Sequence, residues 1–94
     1  MNIKVKNLVS PSGNEVANQF EITVGGKVYF QSYQTIIAVY DQRTGKTTLD
    51  KNKWDYSTTT GKYRNMWLAD KSKAETEKKI KSGYYKLRDL NKEQ

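Results

Sequence analysis

Phe20-Glu21-Ile22-Thr23-Val24-Gly25-Gly26-Lys27-Val28-Tyr29-Phe30 decides the fold class of this chain. Apolar and polar residues alternate from Phe20 to Val24, the period of a strand with one buried face. A second strand-forming run, Lys27 to Phe30, follows after two glycines. Type I′ and II′ turns need positive φ, and glycine reaches it without a Cβ clash. The stretch predicts a tight antiparallel hairpin.

Outward from the hairpin the strand signal continues on both sides. Ile3 and Val5 alternate with Asn2, Lys4 and Lys6, and Leu8 and Val9 extend the run, so a half-buried first strand is expected. Ser10-Pro11-Ser12-Gly13-Asn14 is dense in turn formers. Downstream, Thr35-Ile36-Ile37-Ala38-Val39-Tyr40 is continuously apolar and β-branched, the pattern of a central strand buried on both faces. Gly45 suits the left-handed position of a longer hairpin loop, and Lys46 to Leu49 is the return strand. Four or five antiparallel strands thus fill residues 1–50.

After Asp50 the period changes. Ser57 or Thr58 can cap a helix, and Tyr63, Met66 and Trp67 fall at i, i+3 and i+4 on one face. Gly61 weakens its first turn by about 1 kcal/mol relative to Ala. Ser72-Lys73-Ala74-Glu75 is a capping box for a second helix, and Gly83 stops it. Glu75–Lys79 and Glu77–Lys81 are well-oriented i,i+4 pairs, and only Ala74 and Ile80 are apolar, so this helix belongs on the surface. Tyr84 to Leu90 reads as a last strand, with a helix as the alternative. In the strand, Tyr85 and Leu87 face inward and Tyr84, Lys86 and Arg88 outward. Residues 91–94 are expected to fray. The fold class is α+β: one domain with an antiparallel sheet of four to five strands packed against one helix, and a second, basic helix on its surface.

Composition removes most catalytic chemistry. The 94 residues contain no Cys and no His, which excludes disulfides, thiol nucleophiles, Cys/His zinc sites and Ser-His-Asp triads. Asp41, Asp50 and Asp55 are the acids a small metal-dependent nuclease could recruit, yet their spacing demands no metal and they suit turns and lysine partners. No catalytic residue, metal or cofactor is expected. No apolar run approaches the roughly 20 residues of a membrane span or forms a signal peptide, so a cytoplasmic protein is expected.

The charge is asymmetric. The net charge is +7, with a balance of +1 over residues 1–50 and +6 over residues 51–94. Cations of this density neutralise phosphates and gain from counterion release. The candidate contacts are Lys62, Arg64, Lys78, Lys79, Lys81, Lys86 and Arg88. Trp54, Tyr63 and Trp67 are read as core, because aliphatic residues are scarce. Ser57-Thr58-Thr59-Thr60 at a helix start, followed by Lys62 and Arg64, could also hold a phosphate.

A longer pattern runs through residues 30–68. Phe30-Gln31-Ser32-Tyr33-Gln34-Thr35-Ile36-Ile37-Ala38, Tyr40-Asp41, Tyr56-Ser57-Thr58-Thr59-Thr60, Lys62-Tyr63 and Trp67-Leu68 resemble small uncharacterised proteins of phages and mobile elements in Gram-positive bacteria. The resemblance implies such an origin and brings no catalytic residues with it. Small phage proteins of that kind often act by binding host machinery, including defence nucleases such as CRISPR effectors, and the resemblance implies the same class of role here. The expected function is therefore non-catalytic binding of nucleic acid or of a host nucleoprotein or nuclease, as an anti-defence inhibitor in the host cytoplasm. The alternative is a protein–protein interaction module with an incidental basic surface.

Overall fold

In the computed structural model, which describes residues 2–92, the Gly25-Gly26 turn joins β2 (Glu15–Val24) to β3 (Lys27–Ser32). Val24 pairs with Lys27 across it, and the two glycines have φ of 59° and 79°. Both are in the left-handed region, as a type I′ turn requires. β1 (Ile3–Val9) pairs with β2, β4 (Thr35–Asp41) with β3, and β5 (Lys46–Asp50) with β4, all antiparallel. β6 (Tyr85–Arg88) then adds in parallel to β5, giving a six-stranded sheet in the order β1-β2-β3-β4-β5-β6. The fold is α+β as the sequence reads, with one strand more and one parallel pairing. The helical segment between β5 and β6 is the crossover that a parallel neighbour needs.

That segment holds α1 (Thr58–Leu68) and α2 (Lys73–Lys81). Ser57 caps α1 by accepting from the Thr60 N–H, and Ser72 caps α2 by accepting from the Glu75 N–H. The Glu75 carboxylate reaches back to the Lys71 N–H at 2.9 Å, one residue beyond the usual capping-box partner. Both helices lie on one face of the sheet. Trp67 of α1 stacks on Phe30 at 6.0 Å and donates to the Glu21 carboxylate at 3.1 Å, while Thr60 shares a 2.8 Å hydrogen bond with Ser32. The core between sheet and helices is Phe30, Ile37, Ala38, Leu49, Tyr63 and Tyr85, with Trp54 and Trp67 packed against it.

Three expectations change. β4 is not buried on both faces: its register shifts between Phe30 and Gln31, a bulge that leaves Ile37 unpaired. Ile37 and Ala38 are therefore consecutive and both fully buried on the helix side. Ile3 and Val5 are not half-buried but 64% and 59% exposed, because no helix covers their side of the sheet. Met66 does not share the buried face of Tyr63 and is exposed; Leu87 does stand on the face of Tyr85, opposite buried Leu49, but is 41% exposed there.

The chain end also departs from the expected fraying. Asn91 donates to the Ile36 carbonyl at 2.8 Å and accepts from the Ile36 N–H at 2.7 Å, so one side-chain amide takes the place of a strand neighbour. Buried Asp50 holds the same tail by accepting from the Leu90 N–H, besides the Asn52 and Lys53 N–H groups of its own turn. Residues 93 and 94 lie outside the described residues.

Candidate nucleic-acid interface

The uncovered face of the sheet is assembled from residues that alternate with the core. Strand register lines up Val5, Ile22, Tyr29, Val39, Thr48 and Lys86 in one row across all six strands. The next row runs Ile3, Val24, Lys27, Asp41 and Lys46. In these two rows apolar side chains dominate β1 to β4, with Lys27 and Asp41 as the charged members there, and cations dominate towards β5 and β6. At the basic end a cleft of about 580 Å³ opens, with Lys27, Lys46, Lys86 and Arg88 around it and Val39 and Thr48 between them.

Among the described residues none of these four cations is in an ion pair. Asp41, the one carboxylate lining the cleft, is engaged by Arg43 through its N–H at 2.9 Å and its guanidinium at 3.9 Å. Four cations without an ion-pair partner around one cleft, against the single carboxylate of Asp41, create a positive potential that attracts an anionic partner.

The residues expected to bind phosphate fall into separate places. Lys86 and Arg88 stand on β6 in this cleft. Lys78 and Lys81 are exposed on α2, which packs on the opposite face, and Lys62 is exposed on α1 with its ammonium 5.4 Å from the Tyr63 ring. Two of the seven are structural instead.

Arg64 is 1% exposed. Its Nη1 donates to the Trp54 carbonyl at 2.9 Å and to Asp55 at 3.1 Å, its Nη2 donates to Asn65 at 2.8 Å, and the guanidinium lies 5.1 Å from the Trp54 ring. It fixes the 50–57 connection onto α1. Asp55 also pairs with Lys73 at 2.6 Å. The Lys73 hydrogen bond, against a smaller burial effect and with help from Arg64, holds the Asp55 carboxyl below its ordinary range; the same hydrogen bond and the Asp55 charge raise the Lys73 ammonium, against burial and the like charge of Arg64.

Lys79 stays partly exposed, but its charge is already paired, because its Nζ donates to buried Asp70 at 2.6 Å. Asp70 accepts as well from Thr76 at 2.8 Å and from the Tyr85 hydroxyl at 2.9 Å. Burial pushes the Asp70 carboxyl up, and the hydrogen bonds from Lys79, Thr76 and Tyr85 outweigh it, so it ends below the usual carboxylate range. The same contacts raise Lys79, first through the Asp70 hydrogen bond. Burial and then the Asp70 bond push Tyr85 up to about 12. The hydroxyl run at α1 is also structural in part: Ser57 is spent on the cap and Thr60 on Ser32.

Sequence reading missed Lys27 and Lys46. Their signal is positional: each is the first residue of its strand, directly after a left-handed glycine. Antiparallel register then sets both opposite Asp41. The acids considered for a nuclease have structural partners, and among the described residues no group of three or more acids is placed to hold a metal ion. Among the described residues no helix is long and apolar enough to cross a membrane.

No curated protein and no solved structure gives a significant match to the chain. A family model does match it, over residues 3–83, from the start of β1 through α2. On that match the chain belongs to the family described as a family of unknown function, DUF8033.

Proposed function

We propose that this protein is a non-catalytic nucleic-acid-binding accessory of a phage or mobile element, acting in the host cytoplasm, and that the uncovered sheet face is its binding surface. The observation that carries this reading is the cleft ringed by Lys27, Lys46, Lys86 and Arg88, none of which has an ion-pair partner among the described residues. A polyanion gains there from counterion release without first breaking an internal salt bridge. Binding of a host nucleoprotein, as an anti-defence inhibitor would require, uses the same chemistry through the nucleic-acid component.

The test is binding to labelled RNA and DNA as a function of salt. Affinity is expected to fall steeply as salt rises. Changing Lys27, Lys46, Lys86 and Arg88 together to Gln is expected to reduce the slope of log K against log salt by about 3, at roughly 0.7–0.9 per phosphate contact. Absence of binding at low salt, or an unchanged slope, rejects the reading. A second reading, a protein partner, is favoured by the exposed Ile3, Val5 and Val9 at the apolar end of the same face. It predicts binding that salt barely alters.

A further inference from the structure

We infer that the nucleic acid taken by this face is single-stranded, with unpaired bases lying on Phe20, Tyr29 and Val39 while its phosphates follow the cations of β5 and β6. The inference rests on the nucleic-acid reading above and specifies its ligand.

It starts from what the face offers besides charge. Phe20, Ile22, Tyr29 and Val39 are only half-buried, because helices cover the other side of the sheet alone. Phe20 and Tyr29 belong to adjacent strands, and Tyr29 is opposite Ile22, two residues from Phe20. Such a diagonal pair on one face is separated by about 7–8 Å, which leaves each ring able to take its own base. Every base has a π-face, so stacking of this kind tolerates any sequence.

The layout fits a strand better than a duplex. A duplex presents phosphates outward and keeps its bases inside the stack. Reading its grooves takes a protruding helix or ribbon. The strands of this face offer neither, and a duplex on the four cations would leave Phe20, Ile22 and Tyr29 uncovered. A single strand satisfies both halves of the surface. β3 and β6 are three strand spacings apart, about 14 Å, so the rings and the outer cations flank Val39 and Thr48 on opposite sides.

The experiment compares four ligands of equal length on the full chain: single-stranded RNA, single-stranded DNA of the same sequence, that DNA strand annealed to its complement, and an abasic DNA strand. Either single strand is expected to bind at least about tenfold tighter than the duplex and the abasic strand. A preference between the two single strands says which sugar is used. Tyr29→Leu keeps an apolar side chain in place and removes the ring; it is expected to weaken single-strand binding about tenfold with the salt slope unchanged. Its melting midpoint, measured alongside, shows whether it folds, and the abasic strand tests the same point on the unmodified chain. Equal binding of all four ligands, with a steep salt dependence, overturns the single-strand inference and leaves the nucleic-acid reading standing. Binding of none of them overturns both.

Discussion

Asp70 carries more of this structure than any motif in the sequence indicates. It directly follows Ala69, whose φ of 60° turns the chain inward at the end of α1. The buried carboxylate then gathers Thr76 and Lys79 from α2 and Tyr85 from β6, tying three elements together. Removing its charge leaves three donors short of acceptor capacity in a closed site. Asp70→Asn is expected to cost about 2–4 kcal/mol at neutral pH by chemical denaturation. The pH dependence has a definite sign. The folded-state carboxyls of Asp70 and Asp55 are lowered, so their stabilisation is present above about pH 4 and is lost as pH falls through the folded values. Lys79 and Tyr85 are raised, so their contribution is present below about pH 10 and is lost as pH climbs, for Tyr85 through about 12. The wild type should therefore lose stability at both extremes, and Asp70→Asn should flatten both limbs. Limbs as steep as those of the wild type would show that Asp70 is not the group responsible.

At the scale of elements, α1 is formed against two of its own residues. Gly61 sits in its first turns, where glycine costs about 1 kcal/mol relative to Ala. Ala69 closes it in the left-handed region, with the Ala69 N–H on Met66 and the Asp70 N–H on Asn65, a Schellman arrangement that glycine ordinarily occupies. A methyl at Gly61 would meet Arg64 and Asp55 atoms at 3.7 Å, ordinary contact distance, so there is room for it. Gly61→Ala and Ala69→Gly are each expected to stabilise the protein by about 0.5–1 kcal/mol, read as rises in melting midpoint. A fall in midpoint for Gly61→Ala would mean that the Arg64–Asp55 pair cannot accept the methyl. The caps, both helices and the Gly25-Gly26 hairpin were legible beforehand, because each depends on residues within a few positions of one another. The bulge at Ile37 and the surrogate strand made by Asn91 were not, because each depends on a partner strand or a distant segment.

Over the whole molecule, the helices on one side of the sheet divide the positive charge into two populations. Lys78 and Lys81 face solvent from the helix layer, while Lys27, Lys46, Lys86 and Arg88 share the opposite face. Neutralising Lys78 and Lys81 to Gln is expected to leave the salt slope of nucleic-acid binding within error of wild type. A drop matching that of the four-residue variant would move the binding surface to α2. The sequence by itself determined the α+β class, the strand-rich first half, the two capped helices and the outward alternation of Lys86 and Arg88. These follow from local periodicity, glycine φ and capping chemistry. Only the tertiary structure decided which cations are available. Arg64 and Lys79 look like any others along the chain, yet the fold brings a carboxylate to each, Asp55 nine residues before Arg64 and Asp70 nine residues before Lys79. Lys27 and Lys46 belong to the half whose net charge is nearly zero, and they join Lys86 and Arg88 only because strand register sets them on one face. A count of charge sums over sequence, whereas a binding surface is selected by distance in the fold.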